Sequence, residues 1–343
     1  MDAEAREECQ PISPYPMDEW TLTSAFDDKD IAKQYLEVHY ENFVKREDIA
    51  LLKKNGVTHV RVPLGHWITG NIASDEPFVN GGWPYFKRLV GWCREEGMQV
   101  WPDIHTAPGS QNGFDNSGHA LPNPTCNGWD MDDASAETFN STAFGGGLSP
   151  NVLRTLQILD EITSTIAADN LTDVVTGFGV LNEPFANCNM DVIRKFDDLA
   201  YDIVRKNMGQ DTSIYIGDVF NSTKFNNGWW IEEKYKGTYL DSHYYHVFDE
   251  RPRHLSPRQH VALVCQKNHR DTIACCYEDE QNKTIPSEGI SRIIGEWSAS
   301  FDTLVGSKLD DVMDGIAKTG MLLLLFCLVT FIVGNRVLTQ LSL

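Results

Sequence analysis

The sequence predicts an α/β fold, a β/α barrel of the eight-stranded type, on three observations. Strand-like and helix-like stretches alternate through the middle of the chain, as parallel strands joined by helical crossovers require. Polar residues suited to chemistry recur inside or at the ends of successive strand stretches, where a barrel gathers them at one mouth. The chain also lacks GxGxxG, Walker and GxSxG motifs, which removes the usual enzymes built on open sheets. Its 343 residues suffice for one such barrel, which commonly takes about 250 residues.

The elements follow in order. Residues 1–17 read as an acidic leader without the apolar run of a signal peptide, so the true start is expected upstream. The barrel is expected over 18–305. Glu47 to Asn55 reads as a helix ended by Gly56, and His59 to Leu64 as a strand. Trp83 to Glu96 sets Phe86, Leu89, Val90 and Cys93 on one helical face closed by Gly97. Gln99 to His105 is strand-like again. Ser149 and Pro150 supply the cap and first turn of a helix carrying Leu153, Leu156, Leu159, Ile162 and Ile166. Val174 to Asn182 follows as a strand, and Val192, Ile193, Phe196, Leu199 and Ile203 mark the next helix. Ser213 to Gly217, Thr238 to Val247 and Arg292 to Gly295 are the remaining strands. After a linker over 306–318, the stretch 319–335 has no charge and lies between Lys318 and Arg336. It is expected to be an apolar transmembrane helix, short for the roughly 17–25 residues a bilayer needs, with 336–343 as a tail.

The net charge of -20 argues against nucleic acid and anionic membranes and favours a neutral polymer as partner. Eight cysteines without CxxC spacing argue against a zinc ribbon. Cys265, Cys275 and Cys276, with His260 and His269 nearby, favour a local disulfide over a metal site. Four sequons, at Asn140, Asn170, Asn221 and Asn282, point to a secreted or cell-surface glycoprotein.

The polar residues suit cleavage of a glycosidic bond. That reaction needs one carboxylic acid to protonate the leaving oxygen and one carboxylate on the opposite face of the sugar. Glu183 and Glu296 each end a separate strand stretch. Asn182 is placed to reach the sugar, Arg61 and Tyr245 to hold Glu296, and His243 to stand near the acid/base. Trp67, Trp101 and Trp297 offer flat rings of the kind that sugar faces stack on. Singly, each of these has a plainer reading: Asn-Glu-Pro as a turn, His243 as a core histidine, the tryptophans as core. The succession Arg61, His105, Asn182-Glu183, His243-x-Tyr245 and Glu296, each on its own strand, is what structural needs alone do not produce.

That succession resembles glycoside hydrolase family 5, and its details are similar to the exo-β-1,3-glucanases of that family. The segments concerned are Asp18-Glu-Trp-Thr-Leu22, Arg61-Val-Pro-Leu-Gly-His-Trp67, Asp103 to Gly118, Leu181-Asn-Glu-Pro184, Asp241-Ser-His-Tyr-Tyr245 and Gly295-Glu-Trp-Ser298. The resemblance covers roughly residues 18 to 302. It implies a retaining, cofactor-free and metal-free enzyme, expected to be a monomer, that releases glucose from β-1,3-glucan ends. Glu183 would be the acid/base and Glu296 the nucleophile, with Arg61, His105, Asn182, His243 and Tyr245 around the sugar. It also implies an incomplete barrel, because neither the first strand nor the eighth, with its tryptophan beneath the sugar, is apparent. The alternatives are a β-1,4-glucanase or mannanase with the same carboxylates, and a non-catalytic, membrane-anchored glucan-binding protein.

Overall fold

In a computed structural model of the chain, the described residues are 16–130, 148–225, 233–245, 259, 262, 276–278, 284–286, 290–297 and 331–332. Three helices open the fold: α1 (Glu19–Ser24), α2 (Lys29–Phe43) and α3 (Arg46–Lys54). The sheet then builds through β1 (His59–Leu64), α4 (Trp83–Glu95), β2 (Gln99–Ile104), the short α5 (Asn127–Asp130), α6 (Pro150–Ala168) and β3 (Gly177–Gly179). It continues through α7 (Met190–Met208), β4 (Ser213–Gly217) and β5 (Thr238–Tyr244). β6 (Cys276–Glu278) and β7 (Thr284–Pro286) form a separate antiparallel pair before β8 (Ser291–Trp297), and β9 (Phe331–Ile332) comes last.

The main sheet runs β8-β5-β4-β3-β2-β1-β9. Its members from β8 to β1 are mutually parallel, the six strands expected from the sequence and in the expected order. The sheet's line is locally thin at the third strand. Regular pairing covers only Gly177–Gly179, extended by a bridge from Val175 to Val100 and by Asn182 N–H donating to the Ile104 carbonyl at 2.9 Å. Gly179 is required there, because a Cβ would stand 2.3 Å from the Tyr215 ring and 2.6 Å from Asp103.

The helices form where local sequence and burial agree. The Ser149 hydroxyl accepts from Val152 N–H at 3.1 Å, Pro150 begins α6, and Leu156, Leu159, Ile162 and Ile166 are fully buried along it. On α7, the Asn189 side chain caps the Asp191 N–H, and Ile193, Phe196, Ala200 and Val204 face the same core. That core joins α4, α6 and α7 to Val60, Val100, Phe178, Ile214, Ile216 and Leu240 of the strands. The sequence reading missed α1 and α2. The Asp28 carboxylate caps α2, but only Ala32 and Leu36 are buried along it while Ile31, Tyr35 and Val38 are exposed, so the helix lacks a strong apolar stripe.

A disulfide joins Cys126 to Cys188 across 62 positions, tying the segment after β2 to the one after β3. Cys265, Cys275, His260 and His269 lie outside the described residues, as do the leader through residue 15, Asn140, Asn282, the linker 306–318 and the tail 336–343. Of the stretch 319–335 read as a membrane helix, only Phe331 and Ile332 are described. They are a strand, antiparallel to β1 opposite Val60 and His59. Among the described residues, no helix is long and apolar enough to cross a membrane.

Candidate active site

The carboxyl ends of the parallel strands bring one cluster of polar side chains together. Side chains on a strand alternate faces, so Trp101, Asp103 and then His105 share one face of β2 and its extension, as Asp241, His243 and Tyr245 do on β5. Arg61, on β1, is buried and donates from Nη1 to Glu296 Oε1 at 2.6 Å. Its Nη2 donates to Asp103 Oδ2 and to Asn182 Oδ1, both at 2.8 Å. One guanidinium thus fixes three strands' worth of acceptors, which suits its rigid fork. Asp103 Oδ2 also meets His105 Nδ1 at 3.1 Å, and His105 Nε2 stands 3.4 Å from the Asn182 amide.

Glu296 is positioned by an irregularity in β8. The β5–β8 register steps from Ser242–Ile294 to His243–Glu296, so Gly295 is an extra residue, a bulge that re-aims the side chain after it. No larger residue fits, because a Cβ there would lie 2.1 Å from Asp241 Oδ1. Tyr245 donates to Glu296 Oε2 at 2.8 Å. Burial alone would push this carboxyl up, yet His243, Arg61, His105 and the Tyr245 hydroxyl outweigh it and bring it down to about 2. Glu296 is therefore a buried carboxylate at neutral pH. The Tyr245 hydroxyl is pushed up by burial and by Glu296, so it stays a donor.

Glu183 is held by a loop. Its backbone is left-handed, with φ +44°, a conformation costly for a residue with a Cβ. Asn112 donates to its carbonyl at 3.1 Å and Asn116 to its Oε2 at 2.7 Å. The fully buried Gln111 binds the Asn182 and His105 carbonyls at 3.0 and 2.9 Å, and its own carbonyl accepts from Phe185 N–H. On the other side, His243 Nδ1 lies 2.6 Å from Glu183 Oε1 and 3.4 Å from Glu296 Oε2. Burial disfavours a charged His243, but Glu296, Asp241 and Glu183 prevail and raise it well above the usual imidazole range. Carboxylate oxygens of Glu183 and Glu296 and a His243 nitrogen all lie within 4.8 Å of one another. A carboxyl pair about 5–5.5 Å apart suits direct attack on a sugar, whereas about 6.5–9.5 Å leaves room for a water.

Of this cluster, Arg61, Asp103, Asn182, Glu183, Asp241 and His243 line a cleft whose wall also includes Leu181, Tyr215, Gly217, Asp218 and Phe220. Phe220, half exposed and with φ +54°, packs edge-on to Phe114 and Phe185 at the rim. Of the tryptophans singled out in the sequence, Trp297 ends β8 opposite Tyr244. Trp101 packs between His59, Tyr215 and Tyr239. Trp67 is buried, stacked on Phe78 at 3.7 Å, and is not brought to the carboxylates. The sequons at Asn170 and Asn221 are both exposed.

Sequence reasoning missed Asp103 and Asp241 as site residues, although each stands two positions before a histidine already singled out, on the same strand face. It also passed over Gln111, Asn112 and Asn116, which touch the Glu183 region from a loop with no periodicity to reveal it. Among the described residues, two donor groups are close enough to hold a metal, Cys126-Asp130-Cys188 and Glu183-His243-Glu296. In the first the cysteines are spent on the disulfide, and in the second His243 is spent on the two carboxylates.

Several known proteins are similar to this chain. The glucan 1,3-beta-glucosidase of Pichia angusta is 32% identical over 298 residues, which cover 84% of this chain and 59% of that protein. That of Yarrowia lipolytica is 31% identical over 289 residues, 83% of this chain and 60% of the relative. The chain thus spans about three fifths of the length of these curated relatives. Rutinosidase from Aspergillus niger shares the fold, with a TM-score of 0.57 at 17% identity over 88% of this chain and 78% of that one. The family model for cellulase, glycosyl hydrolase family 5, matches residues 25–328, and the chain belongs to that family.

Proposed function

We propose that the chain is a retaining glycoside hydrolase that releases glucose from the ends of β-1,3-glucan. The observation that carries this is the Glu183–Glu296 pair, within 4.8 Å and bridged by His243. In the first step Glu183 gives its proton to the leaving glycosidic oxygen while Glu296 attacks the anomeric carbon. The bond to the leaving sugar breaks and a glycosyl ester forms on Glu296. In the second step Glu183 takes a proton from water, the hydroxide adds to the anomeric carbon, and Glu296 is released. Two inversions give net retention. Arg61 and Tyr245 keep Glu296 ionised and aimed, and Asn182 and His105 are placed to contact the sugar.

The β-1,3 linkage is taken from the relatives, which bear the name glucan 1,3-beta-glucosidase. A purely glucan-binding role is disfavoured by the cost of burying Glu296, Arg61, Asp103 and His243 together, which binding a neutral sugar does not call for. An extracellular or cell-surface location is supported by the Cys126–Cys188 disulfide, since such bonds persist in oxidising compartments. The reading is tested with Glu296→Gln. It should abolish turnover of laminarin-type oligomers while the fold and their binding persist, and undiminished turnover refutes the assignment. Faster release from cellulose-type than from laminarin-type oligomers would move the substrate to β-1,4-glucan.

A further inference from the structure

We propose that Asp241 is a positioning residue for the catalytic pair, a buried anchor that holds the His243 ring with Nδ1–H aimed at Glu183 and Glu296. The inference rests on the glycosidase reading above. Asp241 is only 4% exposed, and its Oδ2 lies 3.3 Å from His243 Nε2, on the ring edge opposite the two glutamates. A histidine with both nitrogens engaged by acceptors must donate from both, so its orientation and its charge are fixed together. The backbone is shaped around this contact. The bulge at Gly295 leaves room for the Asp241 carboxylate, whose Oδ1 would otherwise meet a Cβ at 2.1 Å. The Asp241 carbonyl is itself pinned by Asp218 N–H at 3.0 Å.

The bland reading is a buried aspartate that serves folding alone. It does not account for the placement, because a buried carboxylate is costly unless it meets a cation. His243 is the cationic side chain within hydrogen-bond reach of Asp241, and Arg61 lies near enough to interact with it as well. Groups facing this ring are Asp241 on its own strand, Glu183 beyond β3, Glu296 on β8 and Asp218 beyond β4. Burial pushes the Asp218 carboxyl up. Without Asp241, the ring keeps two acceptors on one edge and, among the described residues, loses its hydrogen-bond partner on the other. It is then free to lose its Nε2 proton or to turn.

The test is the ionisation of His243 itself, read by nitrogen NMR of imidazole-labelled protein from about pH 5 to about pH 9. Both ring nitrogens should stay protonated across that range in the wild type. Asp241→Asn should bring the loss of a proton into it. The same variant should lower kcat on an aryl β-glucoside by about 10- to 100-fold, part of the roughly 10²–10⁴-fold that positioned acid–base groups supply. KM should change by less than about twofold, and a new falling limb should enter the alkaline side of the pH profile. A neutral His243 in the wild type overturns the proposal, as does an Asp241→Asn enzyme with unaltered ring titration and pH profile. The wild-type arm and Asp241→Ser keep the test decisive should the asparagine variant not fold. Failure of the parent reading is seen separately, as wild-type protein that cleaves no glycoside or a Glu296→Gln protein that does.

Discussion

Arg61 and Glu296, 235 positions apart in the chain, meet at 2.6 Å, both buried. The pair is one edge of a lattice in which the same guanidinium also serves Asp103 and Asn182. Arg61→Lys keeps the charge but loses the fork. We expect it to lower folding stability by about 1–3 kcal/mol, the cost of leaving a buried acceptor without its hydrogen bond. Urea denaturation measures this, and a shift below 1 kcal/mol would show that the lattice tolerates a point charge.

Gly295→Ala places a methyl group where Asp241 stands. Something must move, and overpacking of this kind costs about 1–3 kcal/mol. The strand that shifts carries Glu296, so turnover should fall more steeply than stability does. Parallel melting curves and rate measurements separate the two effects. An alanine variant with wild-type kcat would show that the bulge does not set the position of Glu296.

Glu19, at the start of α1, has a buried Oε1 without a hydrogen-bond partner among the described residues. Burial pushes its carboxyl up to about 8, against a hydrogen bond with Trp67. The folded protein therefore holds a proton that the unfolded chain gives up near the usual 4.5. The stabilisation tied to that proton is complete below about pH 4.5 and is lost as pH rises through about 8. Glu19→Gln, neutral at every pH, should remove this slope and be more stable than the wild type at pH 8 by about 1–3 kcal/mol. Chemical denaturation across that range checks it, and identical curves for the two proteins would refute it.

Much of this was legible in the sequence. The six strands were found because apolar runs end in polar residues, and Arg61, His105, Asn182, Glu183, His243, Tyr245 and Glu296 do converge. Their common feature is a strand end, which a barrel maps onto one mouth. Residues off that pattern stayed hidden. Cys126 and Cys188 lie too far apart in sequence to suggest each other, and bridges are not deducible from count alone. Asn116 acts from a loop on a distant side chain. Trp67 shows the opposite error, since an aromatic ring beside a histidine reads the same whether it faces a sugar or, as here, stacks on Phe78.

The two glutamates owe their places to different parts of the molecule. Glu296 is inherited from the sheet, locked by Arg61, Tyr245 and a bulge that tolerates no change. Glu183 is inherited from a loop, braced by Asn112, Asn116 and Gln111 and stapled by the Cys126–Cys188 bond. On the proposed roles, a change in the loop would therefore reach proton delivery while leaving the attacking carboxylate in place, and a change in β8 would do the reverse.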